Sequence, residues 1–262
     1  MEKAFLKLPK TTLFSILLHL FLFQVGWNFE RMVNLGFAYS LLPGVKKLYK
    51  DTKKQSQVLK RHLEFFNTNP YLASPIVGMV IAEEEKIARQ SLGNIQEISQ
   101  FKTKCMGPLG ALGDNLFWAN FRPLFSLLGI LVTIGLWKSS LIWLGPFIFL
   151  ILYNIPHLYF RIVWFFRGYN MGKGALNLLC KFRYSYLITR SRIMGLFMLG
   201  VLWAAVGRGW PNFSSTTTGP WFILTGVLAG LFAVAIRKKI SVTWLFYFLT
   251  IGGTLLGYRF YH

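Results

Sequence analysis

Residues 106–123 combine residue types that seldom occur together beside an apolar segment. Three glycines spaced three residues apart are followed by one acid and one base: Gly107, Gly110, Gly113, Asp114 and Arg122. Each glycine costs a helix about 1 kcal/mol relative to alanine, and a charge at a bilayer centre costs about 3 kcal/mol on insertion scales. The pattern predicts a broken or re-entrant element that lines a polar path. If its backbone doubles back, Asp114 and Arg122 form a structural ion pair; a cytoplasmic loop is the alternative.

The composition of the 262 residues is that of a membrane protein. Hydrophobic residues make up 54% and aromatic residues 17% of the chain, and the mean hydropathy is +0.45. These values are too apolar for an ordinary soluble domain. The two cysteines, Cys105 and Cys180, lack the spacing of metal ligands. We therefore expect buried thiols, with no metal site and no cofactor.

The positive charge of the chain is distributed in clusters. The net charge is +20, and all nine acids lie between Glu2 and Asp114. The 148 residues that follow contain 14 lysines and arginines and no acid. Because these cations stand between apolar runs, they predict membrane orientation rather than binding to nucleic acid.

Five apolar segments follow Pro123, at residues 124–137, 141–160, 193–206, 220–236 and 240–258. A straight span needs about 20 residues, so the first and third must extend into flanking residues unless one is half of a broken helix. Residues 1–25 have the charge and apolar pattern of a signal peptide but lack a cleavage site, and we expect an uncleaved helix on or in the membrane. The sequence predicts an all-α, polytopic integral membrane protein with about five transmembrane helices.

The charges of the loops set the orientation of these segments. The loop at residues 161–192 contains seven cations and no acid, and residues 237–239 contain three cations. The positive-inside rule then places the N-terminus in the cytoplasm and the C-terminus outside. Residues 1–104 become a membrane-surface and cytoplasmic-side helical region, and residues 105–262 become a transmembrane region with the re-entrant element at 105–123.

A basic amphipathic stretch lies within the N-terminal region. Residues 46–61 contain seven cations against the single acid Asp51. Such a stretch is drawn to anionic lipids. For residues 51–57, a solvated charged loop is an equally good interpretation.

Several ordered motifs resemble one family of membrane transport proteins. They are Trp-Asn-Phe-Glu-Arg-Met at residues 27–32, Arg-His-Leu-Glu-Phe-Phe-Asn-Thr-Asn-Pro at 61–70, Met-Gly-Pro-Leu at 106–109, Gly-Asp at 113–114, Phe-Trp at 117–118 and Arg-Lys-Lys at 237–239. Together they resemble the enzyme IID component of mannose/fructose/sorbose-type sugar phosphotransferase system (PTS) permeases. The chain departs from the family pattern at Asn115, where a proline is usual, and at residues 208–219, a short segment without acids.

The resemblance implies a transport subunit that carries no phosphorylated residue of its own and is not an enzyme by itself. With a IIC membrane partner it would translocate a hexose through the bacterial inner membrane, for phosphorylation by separate IIAB phosphocarrier components. His62 is therefore not expected to be a phosphorylation site.

Sugars are held by carboxylates and amides that bond their hydroxyls, with aromatic faces against the ring. The candidates for such contacts are Trp27, Asn28, Glu30, Asn67, Asn69, Glu83, Glu84, Asp114, Asn115 and Trp118. Each has a structural alternative: Glu30 could pair with Arg31, Asn69 could cap the helix after Pro70, and the run of glutamates could be a solvated face. No catalytic residue is predicted.

Two other classes of function stay open at this point. One is a stand-alone membrane enzyme, such as a lipid-head-group transferase that uses Asp114, His62 and Glu64. It would need clustered acids or metal ligands at the bilayer edge, and the sequence has no HxxxD, HExxH or DxxD arrangement. The other is a lipid-binding scaffold built on the basic patches.

Overall fold

The computed structural model describes residues 7–90, 95–181, 183–207, 227 and 247. In this part of the chain the secondary structure is helical apart from two isolated β-bridges. The helices are α1 (Lys10–Phe21), α2 (Asn34–Leu48), α3 (Thr52–Arg61), α4 (Ala73–Gln90), α5 (Ile95–Gly113), a π-helix (Asp114–Phe121), α6 (Arg122–Gly135), α7 (Leu144–Met171), α8 (Gly174–Lys181) and α9 (Tyr184–Gly207). The prediction of an all-α protein is confirmed.

Three helical stretches in the described ranges are long and apolar enough to cross a membrane. They are Ile95–Gly135 with 41 residues, Leu144–Met171 with 28 and Tyr184–Ala205 with 22. The two short predicted segments extend into flanking residues as expected, because residues 124–135 form the end of the first stretch and residues 193–205 form the end of the third. The segments at 220–236 and 240–258 lie outside the described residues, so the number of five crossings stays a prediction.

The glycine-rich stretch does not form a re-entrant hairpin. The chain continues from α5 through the π-helix into α6, and Gly113 has ordinary helical angles of φ −66° and ψ −42°. Close packing explains the glycine better than chain reversal, since a β-carbon on Gly113 would overlap the side chain of Asn69. The irregularity is the π-helix itself, a wider turn that commonly marks a functional position.

The N-terminal helices pack on one another, and α2 also contacts α4. Ile16, Leu17 and Leu20 are buried where α1 packs on α2, while Phe14 and Leu18 on the other side of α1 are exposed. At the start of α3 the side chain of Asp51 accepts a hydrogen bond from the backbone of Lys53, which caps the helix.

The centre of the fold is the crossing of α4 and α7. Residues Ile76, Val77 and Val80 of α4 are fully buried. Gly78 lies against the backbone of Phe165, and Gly168 lies against the backbone of Pro75, so that a β-carbon at either glycine would overlap the opposite helix. Small residues permit this close approach of two apolar helices.

Contacts group the chain into residues Met1–Met198 and Leu199–His262. The boundary expected after residue 104 falls inside α5. All the contacts described below lie in the first group.

Candidate functional site

The loop of residues 26–33, between α1 and α2, is held in a fixed turn. The backbones of Asn28 and Met32 exchange hydrogen bonds of 2.9 and 3.0 Å, and Met32 has a positive φ of 58°. The side chain of Asn28 accepts from the backbone of Arg31 at 2.8 Å and donates to the side chain of Asn34 at 2.9 Å. The polar atoms of Asn28 are thus used to shape the loop.

The same loop is fastened to residues 63–66, which follow α3. Val33 donates its backbone N–H to the carbonyl of Phe66 at 3.0 Å, and the side chain of Asn34 donates to the carbonyl of Leu63 at 2.6 Å. Two of the motifs that are separate in the sequence therefore form one structural unit.

The outer face of this unit carries two aromatic rings and a carboxylate. Trp27 and Phe29 are 52% and 87% exposed, and their ring centroids are 4.9 Å apart in an edge-to-face arrangement. Glu30 is also exposed and pairs with Arg31 at 3.2 Å. Two sequence candidates, Trp27 and Glu30, are therefore presented together to the surroundings. Asn67 is exposed as well.

Glu84 lies in the core behind this unit. Its fully buried carboxylate accepts hydrogen bonds from both Nε and Nη2 of Arg61 and from Nε2 of His62, the last at 2.9 Å. Burial alone would raise the pKa of Glu84, but the hydrogen bond from His62 and the charge of Arg61 hold that pKa below its ordinary value. The structure thus gives Glu84 internal partners and leaves it no open face toward a sugar. Its neighbour Glu83 pairs with Lys86 at 2.9 Å.

His62 is a buried, neutral partner of Glu84. Its side chain is 1% exposed, and its Nδ1 atom has no hydrogen-bond partner. Burial lowers the pKa of His62 below 6.5, with the hydrogen bond to Glu84 acting in the opposite direction. A neutral imidazole donates from Nε2 to the carboxylate in this arrangement.

A second ion pair, which the sequence analysis missed, joins the buried Lys102 of α5 to Glu64 in the segment after α3. Lys102 is 1% exposed and donates to Glu64 at 2.7 Å, and its ammonium lies 4.8 Å from the ring centroid of Phe37. The signal was present in the sequence, because Lys102 shares one helical face with the buried residues Ile98, Cys105 and Leu109.

The π-helix meets the segment before α4 through Asn69 and Asp114. The side-chain amide of Asn69 donates to Asp114 at 2.9 Å, while Asp114 itself is exposed. In the described part of the chain Asp114 has no ion pair, so the expected pair with Arg122 is not formed. The reason is geometric, because a continuous helix separates the two residues along its axis instead of folding back.

Farther along the π-helix, the side chain of Asn115 takes part in hydrogen bonds within the protein. Its side-chain oxygen accepts from Asn120 at 2.9 Å and from Arg192 of α9 at 3.1 Å. Trp118 is 43% exposed and lies on the outer surface of the π-helix.

A further polar group on α7 was not anticipated. The hydroxyls of Tyr71 and Tyr153 are 3.0 Å apart, and the ring of Tyr71 stacks on His157 at 4.7 Å. Arg161 is buried beside them, where it covers the ring of Phe21 and donates to the carbonyl of Pro70 at 3.4 Å. Only the fold brings these aromatic and basic residues together.

Of the three residues considered for an enzyme, His62 and Glu64 line one cavity, and Asp114 does not line it. His62 bonds to Glu84, Glu64 to Lys102 and Asp114 to Asn69. Among the described residues, no group of three histidine, cysteine or acidic side chains is placed to hold a metal ion. Cys105 is buried, as expected, whereas the side chain of Cys180 lies outside the described part.

Long apolar helices and a close-packed α4–α7 crossing, with an aromatic and acidic loop facing outward, define an all-helical integral membrane protein. The comparison with protein families gives the particular family. Residues 7–209 match the PTS system mannose/fructose/sorbose family IID component. The chain belongs to this family, as the sequence motifs indicated.

Relatives in several bacteria match along most of their length. The chain is 32% identical to the mannose-specific EIID component of the PTS of Escherichia coli (strain K12), over 96% of this chain and 95% of the relative. It is 32% identical to the sorbose-specific EIID component of Klebsiella pneumoniae, over 96% and 98%. The fructose permease IID component of Bacillus subtilis (strain 168) is 34% identical over 75% and 70%.

Two solved structures have the same fold. One, described as the structure of a membrane protein, aligns with a TM-score of 0.71 and 31% identity over 96% of this chain and 98% of that chain. The other is a cryo-EM structure of the mannose transporter ManYZ with microcin E492, with a TM-score of 0.59, 31% identity and the same coverages.

Proposed function

We propose that this chain is the IID subunit of a mannose-family sugar permease, which translocates a hexose together with a IIC membrane partner. The observation that carries the proposal is the clamped loop of residues 26–33. It presents Trp27, Phe29 and Glu30 outward from a rigid base. A carboxylate accepts hydrogen bonds from sugar hydroxyls, and exposed aromatic rings favour a surface that a partner completes. The sugar then lies between this loop and the IIC subunit.

The roles proposed for the sequence candidates follow from their surroundings. Trp27 and Glu30 contact the sugar, with Asn67, Asp114 and Trp118 as further exposed groups that the same ligand can reach during transport. Asn28, Asn69 and Asn115 act as positioning residues, because their side-chain atoms already hold the loop and the π-helix. Glu83 and Glu84 stabilise the fold through Lys86, Arg61 and His62.

The phosphoryl transfer is assigned to separate IIAB components, and this chain contributes no phosphorylated residue. The burial of His62 supports this assignment, because its Nε2 atom is bonded to Glu84 and its ring is inaccessible to a phosphoryl donor. The chain is placed in the bacterial cytoplasmic membrane with its N-terminus inside and its C-terminus outside, on the grounds of the loop charges. Reporter fusions after His262 test the orientation, and a cytoplasmic signal there contradicts it.

The test is sugar uptake by cells that lack their own hexose permeases and express this chain with its IIC and IIAB components. Accumulation of labelled mannose, fructose or sorbose as the phosphate should require both this chain and IIC. Glu30→Gln should reduce uptake about tenfold or more, since a hydrogen bond to a charged group contributes about 1.5–3 kcal/mol, while the complex still assembles.

Glu97→Gln is the matched control, because Glu97 is an exposed glutamate whose pair with Lys173 is also exposed. Its uptake should equal that of the wild type. Normal uptake by both Glu30→Gln and Trp27→Ala in an assembled complex would show that the loop does not contact the sugar. Turnover of a substrate by this chain alone would favour the enzyme alternative.

A further inference from the structure

Two neighbouring cavities lie where the start of α1 meets the end of α7, and they differ in chemistry. The first has a volume of about 530 Å³ and a mainly apolar wall that includes Leu13, Phe14 and Phe166. The second has a volume of about 350 Å³ and is lined by Lys86 and Arg89 of α4, together with one acid, Glu85. Lys7, Tyr169 and Asn170 line both cavities. An apolar space and a basic space thus share one wall.

Hydrogen bonds fix the elements around this shared wall. The hydroxyl of Tyr169 accepts from the backbone N–H of Leu8 at 2.9 Å and donates to the carboxylate of Glu85. Arg89 pairs with the same carboxylate at 2.9 Å. The segment before α1, the end of α4 and the end of α7 are therefore linked through one tyrosine, which gives the cavities a defined shape.

The cavities lie beside the end of a helix that is long and apolar enough to cross a membrane. Tyr169 and Asn170 belong to the last turn of the candidate span Leu144–Met171, and Gly172, which has a positive φ of 53°, follows the end of the helix. Phe166 lies about one turn farther into the span. The polar cavity is consequently at the end of the candidate span, and the apolar cavity includes Phe166, about one turn nearer the middle of that helix.

The cations around the cavities exceed the anions within the described residues. Lys86 pairs with Glu83 at 2.9 Å, and Arg89 pairs with Glu85. The ammonium of Lys7, in contrast, donates to the neutral side chain of Asn170 at 3.2 Å. Lys10, which also lines the apolar cavity, has no carboxylate partner in the described ranges. An anion would therefore complement the cations of Lys7 and Lys10 among the described residues.

We propose that the paired cavities bind one anionic phospholipid. Its phosphate lies among Lys7, Lys86 and Arg89, and one acyl chain lies along Phe14 and Phe166. Lysine and arginine at a membrane edge attract anionic head groups, and their aliphatic stems can cover apolar surface at the same time. Free phosphate would fill the basic cavity alone, and a zwitterionic lipid would add no net negative charge. The proposal does not rest on the function of the loop at residues 26–33.

The experiment is native mass spectrometry of the purified complex with its membrane partner, titrated with dioleoylphosphatidylglycerol in a non-ionic detergent. Wild type should bind one tightly held lipid per copy of this chain and should bind dioleoylphosphatidylcholine much more weakly. Each lysine near a membrane surface contributes a factor of about five in affinity, so Lys7→Gln with Lys86→Gln should weaken binding about 25-fold. Both lysines are exposed, and assembly should be unchanged.

Lys104→Gln with Lys138→Gln is the matched control, because it removes two exposed cations that line neither cavity. Its affinity for phosphatidylglycerol should equal that of the wild type. A separate variant, Phe14→Ser, tests the acyl-chain cavity and should weaken binding without any change of charge.

Three outcomes would overturn the proposal. The first is equal phosphatidylglycerol affinity in wild type and in the Lys7 and Lys86 double variant. The second is full competition by millimolar inorganic phosphate, which would indicate a simple anion site. The third is an equal loss of affinity in the control, which would indicate a general effect of surface charge.

Discussion

The side-chain amide of Asn69 donates a 2.9 Å hydrogen bond to the carboxylate of Asp114, 45 residues farther along the chain. The carbonyl oxygen of the same side chain accepts from the backbone N–H of Tyr71 at 3.0 Å. Asn69 therefore fixes the turn before α4 and connects it to the π-helix. Gly113 leaves the space in which this amide lies.

Asn69→Ala should destabilise the protein more than Asp114→Ala. The buried Asn69 makes both bonds, each of which contributes about 0.5–1.5 kcal/mol, whereas the exposed Asp114 makes only one of them. Arg122→Ala should leave assembly unchanged, because no ion pair joins it to Asp114. The apparent melting temperature of the purified complex reports the stability of all three variants. A loss of assembly in Arg122→Ala equal to that in Asn69→Ala would contradict the structure.

Glu84→Gln should strongly reduce the yield of folded protein. Removal of the carboxylate leaves Arg61 and the buried His62 without their anion, and breaking a buried pair costs about 3–5 kcal/mol. The partial exposure of Arg61 favours the lower end of this range. The adjacent Glu83→Gln is the control, since its partner Lys86 is 55% exposed and such surface pairs contribute at most about 1 kcal/mol. Equal melting temperatures for the two variants would contradict the assignment.

The stability of the protein should fall as the pH decreases below about 6.5. Burial lowers the pKa of His62 from 6.5, so the unfolded chain takes up a proton before the folded chain does. The stabilisation that the neutral His62 provides is complete above pH 6.5, and it is lost as the pH falls toward the lowered pKa of His62 in the folded state. One such proton changes stability by at most about 1.4 kcal/mol per pH unit.

His62→Gln tests this dependence. The variant should show a smaller change of apparent melting temperature than the wild type between about pH 7.5 and pH 5. In this window Glu64 and Glu84 stay ionised, because the pKa of each carboxyl is held below its ordinary value of 4.5. Identical slopes in wild type and variant would show that another group is responsible.

Gly78→Ala and Gly168→Ala should each destabilise the α4–α7 crossing. The added methyl group would overlap the backbone of the opposite helix, which cannot withdraw as a flexible side chain could. Overpacking of this kind costs about 1–3 kcal/mol. Gly107→Ala is the control, because no atom lies within 4 Å of its β-position. It should be neutral or should stabilise α5 by up to about 1 kcal/mol, as measured by thermal unfolding in detergent.

The sequence by itself determined the class and the family of the protein. A run of about 20 apolar residues can cross a bilayer as a helix, in which all the backbone hydrogen bonds are made internally. Such runs are recognised from local composition alone. The motifs at residues 27–32 and 61–70 also identified the family from the sequence alone. Their residues and their order can be recognised without knowing which residues are in contact in the fold.

Only the tertiary structure decided which of the polar residues are free to meet a ligand. Glu83 and Glu84 are identical neighbours in the sequence, yet the direction of α4 leaves one near the surface and buries the other against Arg61 and His62. Asp114 has Asn69 as its partner, and not Arg122. In a continuous helix, two residues that are eight positions apart cannot contact each other. Such pairings depend on how distant segments pack, and spacing along one chain does not contain that information.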